Sequence, residues 1–178
     1  MSEARKCSER IRKKVSDKMK LQRLTLTAMF AALCAIGGLI KIPSAIGSLA
    51  LDTVPAIVSV AFLPPVFSGI ASLLGHLASA MYAGFPLGPF HLLIACEMFI
   101  IILLFARLHK AGHHALKWLF FIIANGLLAP LPFYFLVSPA FFFGALPAIF
   151  VATILNAGVA ALVIPALRHV SSSRVGIQ

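Results

Sequence analysis

The sequence His76-Leu-Ala-Ser-Ala-Met-Tyr-Ala-Gly-Phe-Pro-Leu-Gly-Pro-Phe-His-Leu-Leu-Ile-Ala-Cys-Glu97 governs how the rest of the chain is interpreted. Residues 84–89 cannot be helical throughout, because proline lacks an N–H and glycine readily adopts turn conformations. The apolar stretches on both sides therefore predict two helices joined by a turn. Glu97 lies within the second stretch, where a comparable charged side chain costs about 2.5–3.5 kcal/mol. Such a carboxylate needs a partner, a ligand or a proton.

The composition is that of an integral membrane protein. Hydrophobic residues make up 61% of the 178 positions and charged residues only 11%, whereas about a quarter of the residues in a soluble domain are charged. The mean hydropathy is +1.01. A spanning helix needs about 20 apolar residues, so a chain of this length forms one compact bundle. We therefore predict an all-α integral membrane protein.

The formal charge of +10 comes mainly from the N-terminal tail. Nine of the fifteen Lys and Arg residues lie in the first 23 positions, ahead of a long apolar stretch. This arrangement is typical of a segment that orients a membrane protein, and it argues against nucleic-acid binding. Beyond the tail, Asp52 and Glu97 are the only acidic residues. Each of them therefore calls for an explanation.

Six membrane-spanning helices are predicted in a domain at 21–168, between cytoplasmic tails at 1–20 and 169–178. The spans are expected at 21–42, 56–63, 66–83, 90–108, 117–136 and 147–167. The second span is too short to cross about 30 Å of hydrocarbon unless loop residues before it also enter the membrane.

Two loops on the outer side complete this prediction. Proline and glycine break helical continuity in residues 41–55, and Asp52 suits either a ligand site or the capping of the helix that begins near Pro55. The second loop, residues 137–146, is uncharged and contains three consecutive phenylalanines. We expect it to cover a ligand as a lid.

Basic residues predict the orientation. With the N-terminus inside, the inner side holds nine basic residues in the first 23 positions, three in the segment from Arg107 to Lys117 and two near the C-terminus, whereas the outer side holds Lys41 alone. Cytoplasmic segments carry the excess of Lys and Arg, so this split supports six spans with both termini in the cytoplasm. Five spans would place the C-terminal arginines outside.

Polar and aromatic side chains from several predicted spans form one candidate substrate-binding group. Its members are Asp52, His76, Phe85, His91, Glu97, Asn125, Tyr134 and Asn156. In a bilayer such polar residues almost always face the bundle interior or a water-filled cavity. Their donors and acceptors, with the aromatic rings, suit a neutral heteroaromatic or sugar-bearing ligand. The alternative is a hydrogen-bond network between helices without a ligand.

The members of this group differ in depth. His76, Glu97, Asn125 and Asn156 fall near the middle of their spans, whereas Asp52 and His91 lie nearer the outside. A helix turns 100° per residue, so His91 lies about 240° from Glu97 and does not share its face. A ligand that contacts both residues must therefore be wide or must lie above the start of the helix.

Motifs for catalysis are missing from the sequence. It contains no H-E-x-x-H, G-x-S-x-G or Walker A pattern. The histidines at 109, 113 and 114 have no carboxylate or cysteine beside them, so we expect a solvated loop rather than a metal site. We predict neither enzymatic activity nor a resident metal or cofactor. A small membrane enzyme or a scaffold protein is the alternative of another class.

A strip of small residues follows the first predicted span. Ala28, Ala31, Ala32, Ala35 and Gly38 recur at three- and four-residue spacing. Such strips let another helix approach closely in lipid. The spacing leaves open whether that helix belongs to this chain or to another protein.

Three segments resemble the substrate-binding S components of energy-coupling factor (ECF) vitamin transporters. They are residues 28–35, Leu51-Asp-Thr-Val-Pro55 and residues 84–97, and the resemblance spans 21–167. It implies a six-helix subunit in the bacterial cytoplasmic membrane, without an ATPase of its own, that binds a small vitamin or nucleoside. It also implies that the docking strip Ala28, Ala31, Ala32 and Ala35 contacts the coupling protein EcfT, which two cytoplasmic ATPases drive.

The segment at 84–97 is similar to the subgroup assigned to α-ribazole, the nucleoside precursor of the cobalamin lower ligand. Another small vitamin or precursor, such as pantothenate or a pyrimidine precursor, is the alternative within this class. The chain departs from the family pattern at Leu63-Pro-Pro-Val-Phe-Ser-Gly69, where a Leu-Gly-Pro-like turn is more common. It also lacks the Met-His start of nickel and cobalt S components, which argues against a metal substrate.

Overall fold

A computed structural model describes residues 3–44 and 47–175, which are mostly helical, with one β-hairpin and short turns between the helices. The ends of the predicted tails, residues 1–2 and 176–178, and loop residues 45–46 lie outside the described residues. The elements are α1 (Glu3–Leu39), β1 (Lys41–Ser44), β2 (Gly47–Ala50), α2 (Thr53–Ser59), α3 (Pro65–Tyr82), α4 (Phe90–Lys110), α5 (His114–Ile123), a π-helical segment (Ala124–Leu128), α6 (Pro132–Leu136) and α7 (Pro139–Val175).

Helix α1 joins the basic tail to the first predicted span without a break. Lys, Arg, Gln and Leu occupy the junction near residue 20, and all four are good helix formers. The helix ends at Leu39, three residues before the predicted end of the span. Its segment Ser8–Leu39 is long and apolar enough to cross a membrane.

A short antiparallel hairpin replaces most of the predicted loop at 41–55. Strand β1 pairs with β2 so that Lys41 lies opposite Ala50 and Ser44 opposite Gly47. The backbone N–H of Leu51 then donates to the carbonyl of Gly37, 3.3 Å away. The hairpin therefore returns the chain to the end of α1.

The segment from Leu51 to Pro64 runs back along α1. It begins beside Gly37 and ends near Arg23, because Pro64 and Arg23 line one cavity. Gly37 and Arg23 are fourteen residues apart on α1, which corresponds to roughly 21 Å along the helix axis. Helix α2 supplies only seven of the residues, and turns at 60–63 complete the path.

Helix α3 packs between α1 and α4 through glycines. A Cβ on Gly75 would meet the side chain of Cys34 on α1, and a Cβ on Gly69 would lie 2.8 Å from the ring of Phe99 on α4. Small residues let helix backbones approach closely in lipid, where hydrophobic burial gives no driving force for association. The predicted bounds of these two helices, 66–83 and 90–108, agree with the structure to within two residues.

The fifth predicted span is divided into α5, the π-helical segment and α6. Pro130 has no N–H to offer the carbonyl of Gly126, and its ring crowds that carbonyl, which favours a kink or a break in the helix at this point. The chain widens instead, and the N–H of Ala129 donates to the carbonyl of Ala124 at 2.8 Å. Pro130 and Pro132 predict a bend and an irregular outer end for this span, and in the structure the irregularity begins earlier, at Ala124.

The predicted apolar loop at 137–146 is wrong, because α7 begins at Pro139 and continues through Pro147 and Pro165. The Ser138 hydroxyl accepts a hydrogen bond from the N–H of Phe141 at 3.1 Å. Serine before the helix and proline at its first position are a common start signal. The three phenylalanines therefore belong to a helix rather than to a flexible lid.

Large apolar side chains cover the outside of the bundle. Phe135 and Leu162 are 78% and 77% exposed, which suits contact with lipid rather than with water. Four described helical segments are long and apolar enough to cross a membrane, namely Ser8–Leu39, Phe90–Lys110, His114–Leu136 and Pro139–Leu167.

Candidate functional site

A cavity of about 260 Å³ lies between α2, α3, α4, the π-helical segment, α6 and α7. Most of its wall is apolar, and no Lys or Arg lines it. The polar side chains in the wall are Asp52, Thr53, His76, Glu97, Asn125, Thr153 and Asn156. A mainly apolar cavity with a few convergent polar groups is the usual form of a small-molecule site.

Glu97 brings a carboxylate into this wall from the middle of α4. Its Oε2 atom is buried and has no hydrogen-bond partner among the described residues. Leaving such an acceptor unpaired costs free energy, and the cost is greater for a charged group than for a neutral one. A ligand N–H or O–H in the cavity would remove this cost.

Asn125 reaches the cavity from the π-helical segment. Its Nδ2 donates to the Thr153 hydroxyl at 2.8 Å, and that hydroxyl donates to the carbonyl of Ile149 at 2.8 Å. The amide nitrogen is therefore tied to α7, and no described residue donates to the amide oxygen. Single π-turns occur frequently at functional sites, where they re-aim a side chain.

Asn156 fastens α7 to the start of α2. Its Oδ1 accepts from the N–H of Val54 at 3.0 Å, and its Nδ2 donates to the carbonyl of Ala152 at 2.8 Å. The residue is only 3% exposed. Although it lines the cavity, both polar atoms of its amide already hold structural partners.

Asp52 occupies the position before α2 but does not cap the helix. Its Oδ1 accepts a hydrogen bond from the Thr53 hydroxyl at 3.1 Å, and its Oδ2 lies 3.9 Å from Nδ1 of His76. The capping role that the sequence allowed is therefore not realised. The second carboxylate oxygen faces α3 across a gap longer than a hydrogen bond.

His91 lies behind His76 rather than in the cavity wall. The Nδ1 atom of His91 is 3.3 Å from Nε2 of His76, and the Leu87 N–H donates to Nε2 of His91 at 3.4 Å. The ring of Phe85 meets His91 edge-on, with centroids 5.7 Å apart. His91 is buried, and through these contacts it connects the outer turn to His76.

Aromatic rings form the rest of the wall. Phe133 of α6 and Phe141 and Phe142 of α7 line the cavity, and the centroids of Phe133 and Phe141 are 6.2 Å apart. Tyr134 instead meets Phe142 edge-on from outside, at 5.7 Å. These rings offer flat apolar surface to an aromatic ligand.

A family model described as the substrate-specific component of ECF transporters matches residues 22–168. The match covers most of the chain. This protein belongs to that family. ECF S components bind small-molecule substrates and work with a module made of EcfT and ATPases. The family is therefore a class of transport subunits and not of enzymes.

A solved S component of a bacterial ECF transporter has a similar fold. Its identity with this S component is 19%, the TM-score is 0.66, and the alignment covers 84% of this chain and 97% of the other. No curated protein sequence matches the chain significantly. At this identity the structural likeness shows the fold alone.

The S-component fold brings together five of the eight candidate residues. Asp52, His76, Glu97, Asn125 and Asn156 line one cavity. Phe85, His91 and Tyr134 lie outside its lining.

Sequence reasoning did not identify Thr53, Thr153 or Phe133 as lining residues. Thr153 lies three positions before Asn156, and this spacing places two residues on one helix face. Phe133 precedes Tyr134 in the divided span. Because the path of this span is irregular, the sequence alone does not show which of the two rings faces the cavity.

Proposed function

We propose that this S component binds α-ribazole and delivers it for uptake across the bacterial cytoplasmic membrane. The observation that carries this proposal is the Oε2 atom of Glu97, which has no hydrogen-bond partner among the described residues, in a mainly apolar and aromatic cavity. A ribose hydroxyl is a donor of the kind that this acceptor needs. The resemblance of residues 84–97 to the α-ribazole subgroup supports the same ligand.

The rings of the wall suit the base of the nucleoside. Phe133, Phe141 and Phe142 present apolar faces and edges, which pack favourably against a flat bicyclic heteroaromatic. The volume of about 260 Å³ lies just below the range of about 300–1,000 Å³ typical of ligand sites. It suits one ring system and a sugar, and it is far too small for an intact corrinoid.

The charge of the wall disfavours the alternative ligand pantothenate. Two carboxylates, Asp52 and Glu97, line the cavity, and no Lys or Arg accompanies them. An anionic ligand would bring a further negative charge into a site without a positive partner, which is strongly unfavourable away from water. A neutral or weakly basic ligand is therefore preferred, which leaves a pyrimidine precursor as the second candidate.

Calorimetry on the purified protein in lipid nanodiscs tests the ligand. We expect α-ribazole to bind, its free base to bind more weakly because it lacks the hydroxyls that reach Glu97, and pantothenate not to bind. Binding of a pyrimidine precursor in the absence of α-ribazole binding would overturn the proposal. Equal affinity for the nucleoside and the free base would refute the role of the ribose.

The docking strip suggests how the subunit meets EcfT. Ala28 and Ala32 are exposed on α1, whereas Ala31 is half-buried and Ala35 is buried. Ala31 and Cys34, which lies one helical turn further along α1, lie against Gly75 of α3. We therefore assign the inward part of the strip to packing within the chain and the outward part, Ala28 and Ala32, to the coupling protein.

Co-purification with EcfT and the two ATPases tests this division. Ala28→Leu and Ala32→Leu should each reduce recovery of the complex several-fold, because a larger side chain prevents close helix approach. Ala161→Leu changes an exposed alanine of α7 in the same way and serves as the control. Full recovery with Ala32→Leu, or equal loss with the control, would contradict the assignment.

A further inference from the structure

We propose that the outer turn at 84–89 sets the tautomer of His76 through His91, so that an N–H donor stands beside the Asp52 carboxylate at the ligand cavity. His91 then acts as a positioning residue, although it does not line the cavity. The assignment of the tautomer follows from hydrogen-bond geometry alone. Its consequence for α-ribazole binding rests on the proposed function.

The outer turn places a donor against the ring of His91. The backbone N–H of Leu87 donates to Nε2 of His91 at 3.4 Å. A backbone N–H is only ever a donor, so this ring nitrogen must be an unprotonated acceptor. His91 is then neutral, and its single N–H is on Nδ1.

His91 in turn determines which nitrogen of His76 carries the hydrogen. Nδ1 of His91 lies 3.3 Å from Nε2 of His76, and because Nδ1 carries the hydrogen, Nε2 of His76 must accept it. His76 is therefore also neutral and carries its hydrogen on Nδ1. That N–H points to the side on which Oδ2 of Asp52 lies, at 3.9 Å.

His76 and Asp52 together offer a ligand one donor and one acceptor. A separation of 3.9 Å is too long for a direct hydrogen bond, so the donor on His76 and the acceptor on Asp52 stand side by side. The other oxygen of Asp52 already accepts from Thr53. A ligand hydroxyl, which donates and accepts at once, can bridge the two groups.

The opposite tautomer would change this recognition. With the hydrogen on Nε2, His76 would place an acceptor beside the Asp52 carboxylate. Two adjacent acceptors suit a ligand with two donors and leave one of them unpaired against a single hydroxyl, which costs free energy in a buried site. The tautomer therefore determines which ligand groups this part of the cavity accepts.

The backbone conformation of the outer turn positions the groups that contact His91. Gly84, Phe85 and Gly88 all have positive φ, and that of Phe85 is +48°. This conformation is uncommon for a non-glycine residue and is concentrated where structure serves function. It places the Phe85 ring edge-on against His91 and the Leu87 N–H on Nε2. Rearrangement of the turn would remove the donor that fixes both rings.

Nitrogen NMR of histidine-labelled protein in nanodiscs tests the tautomers directly, and His76→Asn and His91→Asn assign the signals. We expect both residues to show a protonated Nδ1 and an unprotonated Nε2. A protonated Nε2 on His76 would overturn the inference. This result does not depend on any ligand, so it separates a failure of the inference from a failure of the proposed function.

Conservative variants of His91 give the second readout. Asparagine places an N–H₂ donor near the Nδ1 position, so His91→Asn should keep the His76 tautomer and most of the affinity for α-ribazole. His91→Phe removes the donor and should lose about tenfold in affinity, as expected for one hydrogen bond of about 1.4 kcal/mol. Exposed His114 provides the control, His114→Phe. Equal affinity of His91→Phe and wild type, at equal melting temperature, would refute the positioning role.

A second cavity, of about 350 Å³ and with no lining residue in common with the first, lies near the middle of α1. It is lined by Met19, Gln22, Arg23, Leu26, Val60, Ala61, Phe62, Leu63, Pro64 and Lys110. Two cations and no carboxylate stand in this lining. Arg23 also marks the point where the basic tail meets the apolar stretch of α1, which is the depth of a lipid headgroup.

From this lining we infer a binding site for an anionic phospholipid. Neither Arg23 nor Lys110 forms an ion pair within the described part of the chain, so both are available to a phosphate. Phe62, 41% exposed and stacked on Phe30, adds apolar surface for an acyl chain. Basic pockets between spanning helices are a known form of headgroup site.

Native mass spectrometry of protein released from phosphatidylglycerol and phosphatidylcholine nanodiscs tests the site. Wild type should retain phosphatidylglycerol, and the double variant Arg23→Gln/Lys110→Gln should retain several-fold less. The control Arg12→Gln/Lys14→Gln removes the same charge from the exposed tail and should retain as much as wild type. Equal retention by both double variants would overturn the site, and so would full displacement of the lipid by inorganic phosphate.

Discussion

At the scale of single residues, Glu97 and Asn156 line the same cavity but differ in what their polar atoms already contact. The amide of Asn156 is occupied on both atoms by Val54 and Ala152. One oxygen of Glu97 is buried without a partner among the described residues. A ligand donor gains more free energy by binding an unpaired acceptor than by displacing an existing hydrogen-bond partner. Substitution of Glu97 should therefore mainly weaken ligand binding, whereas substitution of Asn156 should mainly lower the stability of the protein.

Glu97→Gln should weaken α-ribazole binding by about 10- to 100-fold, because hydrogen bonds to charged groups contribute about 1.5–3 kcal/mol and each 1.4 kcal/mol is tenfold. The melting temperature of the ligand-free protein should stay equal or rise, since a neutral amide is cheaper to bury than a charge. Calorimetry and thermal unfolding measure the two effects. Asp17→Asn, in the exposed tail, is the control, and unchanged affinity in Glu97→Gln would exclude a ligand contact.

Asn156→Leu should lower the stability of the ligand-free protein by about 1–3 kcal/mol. The substitution leaves the partly buried Val54 N–H unpaired at the start of α2, and an unsatisfied donor away from water carries a desolvation cost. Thermal unfolding in detergent without ligand provides the measurement. Leu155→Ala, at the exposed neighbouring position, should have little effect, and a melting temperature equal to that of wild type in Asn156→Leu would contradict a structural role.

The sequence could supply the polar residues of the site but not their partners. Their depth followed from their position in apolar stretches, which is a local property. The pairing of Asn156 with Val54 joins residues 102 positions apart, and only the packing of α2 against α7 brings them together. His91 shows the same limit, because helical periodicity separated it from Glu97 but gave no information about its contact with His76.

At the scale of elements, the close contact of α1 with α3 at Gly75 is sensitive to side-chain size. A Cβ at this position would meet Cys34 and lie 3.1 Å from the carbonyl oxygen of Ala31. Gly75→Val should therefore destabilise the protein by about 1–3 kcal/mol, the usual cost of overpacking. Thermal unfolding of the variant in detergent tests this value.

Gly158 offers a matched control on α7, because a Cβ there would meet nothing within 4 Å. Gly158→Val changes the same residue types in a helix without the clash. We expect its melting temperature to stay close to that of wild type. If Gly75→Val and Gly158→Val melted alike, the close approach of α1 and α3 would not limit stability.

Element boundaries were predictable where local signals are strong. The Gly and Pro residues of the turn at 84–89 correctly separated α3 from α4. The start of α7 was missed although Ser138 and Pro139 form a helix start signal, because the proline and the aromatic cluster were interpreted as a loop. The π-helical segment was not predicted, since its widening depends on Pro130 and on the packing of Gly126 against Phe150.

At the scale of the whole molecule, the path of the chain through the membrane depends on the segment from Leu51 to Pro64. Four described helical segments satisfy length and hydropathy for a span, and α3 adds a fifth long helix of 18 residues. The segment around α2 runs roughly 21 Å along α1, although only seven of its residues are helical. Counting it as a crossing gives six, and both termini then lie on one side.

The distribution of charge determines which side that is. The basic tail and the loop between α4 and α5 lie on the same side in a six-crossing path, and together they carry most of the Lys and Arg residues. Because the cytoplasmic side carries this excess, we expect the tail and that loop to be cytoplasmic and the turn at 84–89 to be outside. If the segment around α2 did not cross, the basic tail and the loop between α4 and α5 would lie on opposite sides, and one of them would be outside, against this rule.

Single cysteines in a background without Cys7, Cys34 and Cys96 test this topology in intact bacterial cells. A membrane-impermeant maleimide should label Pro86→Cys in the outer turn. It should label Lys14→Cys and His113→Cys only after permeabilisation, because both positions lie inside. Labelling of only one of these two inner positions in intact cells would show that an odd number of crossings separates α1 from α5, and α2 with its turns would then fail to cross.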